Sequence, residues 1–269
     1  MSTLARFLCY NKIMKSYIVG NWKMNFSVGE SSVYLHKLSQ KLRASRGLTV
    51  VVSPSFVALQ PLSLQIDRKK LRLAAQAGNP HDFGAYTGAV SYTQLRGIVD
   101  YGIIGHSERR QLFHESDKDI RASVAAALRN QITPILCVGE TETEHTFGET
   151  EDVIRDQLLG GLSEVSTEDI SKVIIAYEPI WAISTTTDAH LASPDEIGDV
   201  AGFIRRTLKD TYGAATAKEI PLLYGGSVNP SNAGGYLTIP EINGLLVGGA
   251  SLIADQFIDI IEIAKKVQD

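Results

Sequence analysis

Short apolar segments alternate with amphipathic ones along most of the chain, and this alternation predicts the fold. Runs of about four to six apolar residues rich in valine and isoleucine indicate buried strands, whereas apolar positions spaced by three and four indicate helices. The predicted strands are residues 16–19, 48–52, 71–76, 102–104, 134–138, 173–177, 221–224 and 244–247. The predicted helices are residues 30–44, 55–66, 93–100, 116–130, 149–162, 193–212 and 255–267.

The order of these elements favours one fold class. Strand–helix alternations, about eight in about 250 residues and without a linker-like break, are typical of a closed parallel (β/α)8 barrel in a single α/β domain. Ser193 and Pro194 mark one helix start well, because serine caps a helix and proline fits its first position. We expect the barrel to span residues 16–269, with an open doubly wound sheet as the structural alternative.

Residues 1–15 stand before the first predicted strand and form a separate segment. The segment is mildly basic, and its apolar run is too broken for the hydrophobic region of a secretory signal. We expect a flexible extension, and Met14 is an alternative to Met1 as the start of translation.

Composition and charge exclude several classes of protein. The chain has 269 residues, of which 44% are hydrophobic and 21% charged, and its net charge is -4. An acidic chain without a basic face is not expected to bind nucleic acid. No apolar run approaches the roughly 20 residues that span a bilayer, so no membrane partner is expected. The two cysteines give neither a disulfide framework nor a metal-binding spacing, which favours a reducing, cytoplasmic setting.

Polar residues and glycines gather at the ends of the predicted strands. In a parallel barrel these ends lie on one face, where the active site is found. Singly, each residue could be a solvated loop side chain or part of a tight turn, but together they favour a site. Glu140 opens an acidic segment and is interpreted as solvated, as is His145 nearby. The strand-end set is Asn21, Lys23, Gln76, His106, Glu140, Glu178, Gly225, Gly226, Ser227, Gly248 and Gly249.

Glu178 has the most informative surroundings of this set. It directly follows the strand 173–177 and precedes Pro179, which stiffens the backbone. The apolar residues 180–183 and four hydroxyl residues come next, where a polar loop would be ordinary. This order indicates a base covered by a loop that excludes water. A solvated glutamate before an ordinary turn is the alternative.

The glycine pairs after the last two strands indicate the kind of substrate. Backbone N–H groups exposed at glycines suit a phosphate dianion, and Ser227 adds a hydroxyl group. The six histidines are scattered, so no metal site is expected, and neither a dinucleotide nor a nucleotide phosphate motif is present. A carboxylate, an imidazole and a lysine then favour proton transfer on a phosphorylated carbonyl compound.

Six motifs in order give the chain a family resemblance. The chain resembles the triosephosphate isomerase family over residues 16–269. The resemblance implies a (β/α)8 barrel that interconverts D-glyceraldehyde 3-phosphate and dihydroxyacetone phosphate through an enediolate, with no cofactor and no metal. The motifs are GNWKMN at 20–25, GAYTG at 84–88, GHSERR at 105–110, AYEPIWAI at 176–183, YGGSV at 224–228 and GLLVGGASL at 244–252.

The resemblance also implies roles for individual residues. Glu178 matches the base of the family, His106 the neutral imidazole that polarises the carbonyl, and Lys23 the cation that stabilises the enediolate. Glu108 matches the acid paired with that lysine. Tyr224 and Ser227 match groups that hold the closed loop. The remaining substrate ligands, including the phosphate contacts, match Asn21, Ser184, Ser227, Gly248 and Gly249.

A homodimer is a further implication of the resemblance. The third loop of the family inserts into a partner, and it corresponds here to residues 77–88. Thr87 matches the residue that reaches Asn21 of the neighbouring subunit. Ala89 stands where the family usually has a glutamate that pairs with Arg109 across the dimer. We therefore expect a weaker dimer, in which Arg109 is either unpaired or paired with a substitute partner.

Two further departures change the expectations. Residues 184–187, one serine and three threonines, replace a loop tip that is usually glycine-rich, and the stretch up to Pro194 is longer than usual. β-Branched residues restrict the backbone more than glycine does, which affects the kinetics of the loop more than the chemistry. Glu241 and Asn243 occupy positions that are commonly aspartate, and Glu241 is still expected to pair with Arg205.

Two alternatives to the triose activity stay open at the level of sequence. The altered loop allows an isomerase of the same fold that acts on a four-carbon sugar phosphate such as erythrulose phosphate. A barrel that binds a phosphorylated metabolite without catalysis is the other, although Lys23, His106 and Glu178 together count against it.

Overall fold

The computed structural model describes residues 15–183 and 191–268, and these form a closed barrel. All strand pairs are parallel, and the first strand pairs with the last. The closed barrel predicted from the alternation is confirmed, and the open sheet is wrong. The strands are β1 (Ser16–Asn21), β2 (Leu48–Ser53), β3 (Arg72–Ala75), β4 (Tyr101–Ile104), β5 (Thr133–Val138), β6 (Ile174–Tyr177), β7 (Leu222–Tyr224) and β8 (Gly244–Val247).

Helices follow the strands and surround the barrel. Four short helices, α4, α6, α9 and α10, were not predicted, because they have too few residues to show a helical period. Three 3-10 turns lie at Ile170–Lys172, Ile180–Ala182 and Gly249–Leu252. The helices are α1 (Val28–Lys41), α2 (Phe56–Ser63), α3 (Tyr92–Leu95), α4 (Ser107–Leu112), α5 (Asp117–Arg129), α6 (Glu142–Thr146), α7 (Thr150–Leu162), α8 (Pro194–Tyr212), α9 (Ala214–Glu219), α10 (Ala233–Leu237) and α11 (Ala254–Gln268).

Two helix ends illustrate what the sequence signals specify. The predicted start of α8 is confirmed, since the Ser193 side chain accepts from the backbone N–H of Glu196 and Pro194 opens the helix. The helix predicted at 93–100 is wrong in its extent, because α3 ends at Leu95. Gly97 then adopts a positive φ of 83°, which an α-helix does not allow.

Buried side chains form two layers separated by the strands. The inner cluster takes residues from every strand of the barrel, for example Val19 from β1, Ile135 from β5 and Leu246 from β8. The outer cluster lies between strands and helices and includes the neighbouring residue Ile18. Strands that are buried on both faces read as continuous apolar runs, which explains the pattern in the sequence.

The long loop after β3, residues 77–88, is anchored at one acidic side chain. Asp82 accepts hydrogen bonds from Thr93 and Asn130 and pairs with Arg129 at 3.2 Å. The Arg129 hydrogen bond and those from Thr93 and Asn130 lower the pKa of Asp82 to about 2. Further along, the loop is exposed, and Phe83 is 90% accessible.

Two segments of the chain, residues 1–14 and 184–190, lie outside this description. Residues 1–14 lie outside the described residues, and so do the expectation of a flexible extension and the alternative start at Met14. Within the described ranges, no helix is long and apolar enough to cross a membrane.

Candidate active site

Glu178 and His106 face each other at the carboxyl ends of the strands. Glu178 follows β6 and is 3% exposed, and His106 follows β4 and is 5% exposed. The Nε2 atom of His106 lies 3.4 Å from Oε1 of Glu178. Oε2 of Glu178 is buried without a hydrogen-bond partner among the described residues. A buried carboxylate with one unpaired oxygen can accept a proton from a bound molecule.

The surroundings of His106 select the tautomer of its ring. His106 is the N-terminal cap of α4, and its Nδ1 atom accepts from the backbone N–H of Glu108 at 3.2 Å. A ring nitrogen that accepts carries no proton, so the proton of the neutral ring is on Nε2, which points towards Glu178. His106 is therefore set up as a neutral hydrogen-bond donor.

Lys23 is held in a strained backbone conformation at the end of β1. Its φ is 52°, which is uncommon for a residue with a side chain. The Gln76 side chain donates to the carbonyls of Lys23 and Ser53 at 2.7 and 2.8 Å. Lys23 itself donates from its backbone N–H to Oδ1 of Asn21 and from Nζ to Oε1 of Glu108, at 3.1 and 2.5 Å. The Lys23 ammonium group is thus held by Glu108 at the cavity that Glu178 and His106 also line.

Three glycines of the predicted pairs, Gly225, Gly226 and Gly248, border the same cavity, and close approach requires a glycine at two of these positions. A Cβ atom on Gly225 would lie 2.8 Å from Cγ of Glu178, and one on Gly226 would collide with the Tyr224 hydroxyl. The cavity brings together most of the predicted strand-end residues, while Gln76 supports the site through the Lys23 backbone. The lining residues are Asn21, Lys23, His106, Glu178, Ile183, Gly225, Gly226, Leu246 and Gly248.

Comparison with known proteins agrees with this geometry. A family model described as triosephosphate isomerase matches residues 16–264. A triosephosphate isomerase from Chloroherpeton thalassium is 40% identical over 253 residues, which cover 93% of this chain and 99% of that protein. Those from Flavobacterium johnsoniae and Dehalococcoides mccartyi are 38% and 39% identical, covering 92% and 94% of this chain and 98% and 97% of the relatives.

The chain belongs to the triosephosphate isomerase family. The resemblance drawn from the six motifs is thereby confirmed, and so are the (β/α)8 fold and the assignment as an isomerase. The relatives give no support to the four-carbon alternative or to a barrel without catalysis.

Other residues matched to the triosephosphate isomerase family lie around this cavity. Ser227 donates from its backbone N–H and its Oγ atom to the carbonyl of Ala182, at 2.9 and 2.8 Å, so it holds the start of the loop after β6. Tyr224 is fully buried against Tyr236, with ring centroids 4.5 Å apart, and burial raises the pKa of its hydroxyl. Ser184, matched to the phosphate grip, and Thr185–Thr187 lie outside the described residues.

Glu140 corrects one interpretation drawn from the sequence. It is fully buried, not solvated. Its Oε1 atom accepts from the Tyr177 hydroxyl at 3.1 Å and from Nε1 of Trp181 at 2.8 Å. The acidic segment suggested solvent, but donors from β6 and the turn after it enclose the carboxylate. Two aromatic donors flanking Glu178 were the signal that could have pointed to a buried acceptor.

His145 lies beside this buried carboxylate and not in an open loop. It belongs to α6, and its side chain is 40% exposed. The ring stacks on Trp181 with centroids 4.4 Å apart. The interpretation of His145 as a solvated loop residue is therefore correct in that its side chain is partly exposed. It is wrong in that the residue lies in a helix.

Residues assigned to the expected dimer contact are exposed or paired within the chain. Thr87 and Ala89 are exposed. Nε of Arg109 donates to Oε1 of Glu115 at 2.6 Å, and its guanidinium lies 4.7 Å from the Phe113 ring centroid. Of the two expectations for Arg109, the substitute partner is confirmed, because Glu115 supplies the negative charge.

Arg205 contacts Glu241 as predicted, but through the backbone carbonyl of Glu241. Its guanidinium donates to the backbone carbonyl of Glu241 at 3.0 Å and to Oδ1 of Asn243 at 2.6 Å. Asn243 also accepts from the N–H of Leu222 at the start of β7. An asparagine at this position therefore ties Arg205 to the sheet.

Proposed function

We propose that this chain interconverts D-glyceraldehyde 3-phosphate and dihydroxyacetone phosphate, with Glu178 as the base. The observation that carries this assignment is the 3.4 Å separation of Nε2 of His106 from Oε1 of Glu178. It puts a proton acceptor and a neutral donor on one cavity that Lys23 also lines. The reaction places the chain in glycolysis and gluconeogenesis.

The proposed chemistry moves two protons and changes no oxidation state overall. Glu178 takes a proton from the carbon next to the carbonyl, and the electron pair of that C–H bond forms the enediolate. His106, through Nε2–H, and Lys23, through its ammonium group, stabilise the negative charge on the oxygen. Glu178 returns its proton to the neighbouring carbon, while the hydroxyl proton moves to the other oxygen. Glu108 holds Lys23, and Asn21 orders the backbone N–H of Lys23.

The phosphate of the substrate is assigned to the glycine side of the cavity. Gly248 borders the cavity and leads into the 3-10 turn Gly249–Leu252, where backbone N–H groups suit an anion. Ser227 and Ser184 complete the proposed grip, and Tyr224 with Ser227 holds the loop when it closes. The four hydroxyl residues at 184–187 are expected to alter the speed of this loop.

The proposal includes a homodimer through loop 77–88 in a cytoplasmic setting. Phe83 is 90% exposed and Met24, beside Lys23, is 97% exposed, which is unusual for such large apolar side chains and supports a covering partner. Thr87 is assigned to the contact with Asn21 of the partner. Cys137 is a buried free thiol, as suits a reducing compartment.

A coupled isomerase assay tests the assignment of Glu178. We expect Glu178→Gln to lower kcat by about 10²–10⁴-fold, because the amide keeps the shape and cannot accept a proton at carbon. Glu168→Gln, a change at an exposed glutamate, is the matched control and should leave kcat unchanged. Full activity of Glu178→Gln would refute the base, and a higher kcat/KM for a four-carbon ketose phosphate would refute the substrate.

A further inference from the structure

A small cavity at the amino-terminal end of the barrel is surrounded by cationic side chains. It measures about 190 Å³ and includes residues at the starts of β2 and β3. Glu178 follows the carboxyl end of β6, so the candidate active site lies at the opposite end of the parallel barrel. We call this second cavity the basal cavity. The cations that line it are Lys15, Arg68, Lys69, Lys70 and Arg72.

The two arginines of the basal cavity share one carboxylate. Nη1 of Arg68 donates to Oδ2 of Asp100 at 2.9 Å, and Nη1 of Arg72 donates to Oδ1 of the same residue at 2.9 Å. Nη2 of Arg68 also donates to the carbonyls of Gly97 and Ile98, at 3.0 and 3.1 Å. Both guanidinium groups are therefore held in place, while a single negative charge faces two positive ones.

The three lysines of the basal cavity add positive charge without a counter-ion. Lys15, Lys69 and Lys70 form no ion pair with any residue that the structure describes. Asp67, the nearest acid in the sequence, accepts from the backbone N–H of Lys69 at 3.0 Å and does not line the cavity. Within the described part of the chain, Asp100 is thus the one acid paired with these cations.

This excess of positive charge is local to one end of the barrel. The chain as a whole has a net charge of -4, which conceals it. The sequence contains no acidic residue between Glu30 and Asp67, and the exposed Arg43 and Arg46 add two cations just before β2. A concentration of one sign of charge around a cavity attracts ions of the opposite sign. The basal cavity is therefore suited to an anion.

The size and lining of the basal cavity limit the kind of anion. Leu48, Val50 and Leu71 are its apolar residues, and all three are buried, so they offer little surface to a nucleobase or an acyl chain. A volume of about 190 Å³ is also below the range of about 300–1,000 Å³ that is typical for larger ligands. The ligand is therefore expected to be compact and densely charged.

Linked phosphate groups meet these requirements. Guanidinium groups bind phosphate oxygens through paired N–H donors, and lysines bind them as point charges. The hydroxyl residues Ser45 and Thr49 also line the cavity and can donate hydrogen bonds to the same oxygens. A diphosphate concentrates several negative charges in two adjoining groups, whereas a polycarboxylate spreads its charges over a carbon skeleton.

We propose that the basal cavity binds a compact polyphosphate, with Arg68 and Arg72 as a fixed pair of guanidinium groups and the three lysines around them. The basal cavity shares no lining residue with the candidate active site. The proposal is therefore independent of the proposed isomerase reaction. Because the active site is also assigned a phosphate contact, the test must locate the bound anion.

Backbone amide signals of the nitrogen-15-labelled native chain locate the anion without any activity. Inorganic diphosphate should shift the signals of Gly47 and Lys70, which line the basal cavity. Gly225 and Gly248 report binding at the candidate active site in the same spectra. Unchanged signals of Gly47 and Lys70 up to about 1 mM diphosphate, the weak end of small-molecule affinities, would overturn the proposal whether or not the other two respond.

Two double variants separate a site from the general charge of the protein. Lys69→Gln combined with Lys70→Gln should raise the Kd for diphosphate, measured from the Gly47 signal, at least about tenfold, because two charged donors are lost. Lys209→Gln combined with Lys218→Gln is the matched control, since it removes the same charge at a different cavity. It should leave the Kd unchanged. Equal weakening in both double variants would overturn the proposal.

Citrate, which has a similar negative charge at neutral pH, tests the assignment to phosphate. Diphosphate should shift the Gly47 signal with a Kd at least about tenfold below that of citrate, because each tetrahedral group can accept paired N–H donors from one guanidinium. Equal Kd values would overturn the assignment to a polyphosphate. An inactive enzyme that still binds diphosphate at Gly47 would refute the proposed function and leave the basal cavity as a binding site.

Discussion

Nε2 of His106 faces Oε1 of Glu178 at 3.4 Å, while the backbone N–H of Glu108 donates a hydrogen bond to Nδ1, the other ring nitrogen. In the proposed reaction the Glu178 carboxylate accepts a proton, whereas the His106 ring donates a hydrogen bond from Nε2. A substrate carbonyl between them would meet both functions at once. The backbone of α4 determines which nitrogen of the neutral His106 ring carries the proton, because its N–H group requires Nδ1 as an acceptor.

The neutral donor gives the first prediction. We expect His106→Gln to lower kcat by about 10²–10³-fold with a small change in KM, because the flexible amide does not hold its N–H group where Nε2–H of His106 would meet the developing oxyanion. Steady-state kinetics with glyceraldehyde 3-phosphate measures both constants. His36→Gln removes an exposed histidine and should have no effect. An unchanged kcat in His106→Gln would contradict the role of this ring.

The close contact at Gly225 gives the second prediction. A methyl group on Gly225 would lie 2.8 Å from Cγ of Glu178, so Gly225→Ala must displace the carboxylate. We expect kcat to fall by about 10–100-fold, since a shift of about 1 Å in a reacting group has an effect of this order.

Gly160→Ala is the matched control for that change. A Cβ on Gly160, in α7, would meet nothing within 4 Å. This variant should keep full activity and gain up to about 1 kcal/mol in free energy of unfolding. Equal kinetics of the two alanine variants would show that the contact at Gly225 has no influence on the reaction.

The exposed loop 77–88 gives a prediction about assembly. The native chain should sediment as a dimer at micromolar concentration, and Phe83→Asp should weaken the dimer at least about tenfold, because a charge would be buried at the contact. Phe147→Asp is the control, since Phe147 is 74% exposed and lies outside this loop. A native chain that sediments as a monomer would remove the dimer from the proposal.

Asp82 predicts how stability depends on pH. Its pKa is lowered to about 2 in the folded chain, chiefly by the Arg129 hydrogen bond, whereas an unfolded aspartate titrates near about 4. Its stabilising contribution is therefore present above about pH 4 and is lost as the pH falls towards about 2.

Urea denaturation at several acidic pH values measures this contribution. Asp82→Asn should lower the free energy of unfolding at about pH 6 and flatten its fall between about pH 4 and about pH 2. Asp156→Asn, at an exposed position of α7, should keep the native profile. Parallel profiles for the native chain and Asp82→Asn would disprove the argument.

The strands and the site were predictable for the same physical reason. Strands buried on both faces read as apolar runs, and a polar residue that ends such a run, as Glu178 does, stands out. The parallel arrangement then brings these ends to one face, so the position of Lys23 and His106 at the same cavity as Glu178 was predictable without coordinates.

Glu140 was not predictable, because its burial depends on residues far along the chain. Trp181 and Tyr177 enclose it, and they lie 41 and 37 residues away. Local composition, an acidic segment, pointed to solvent instead. The strained φ of Lys23 was hidden for a similar reason, since the Gln76 side chain from beyond β3 supports that backbone.

The pairing of the first strand with the last makes the proposed site depend on both strands. β1 pairs with β8, and a Cβ on Gly248 would lie only 3.8 Å from Cε of Lys23. The ammonium group and the proposed phosphate contact thus come from opposite ends of the sequence. A nascent chain on the ribosome holds Lys23 long before Gly248 has been synthesised. Under the proposed assignment, the site is therefore complete only after β8, the last strand, has been synthesised.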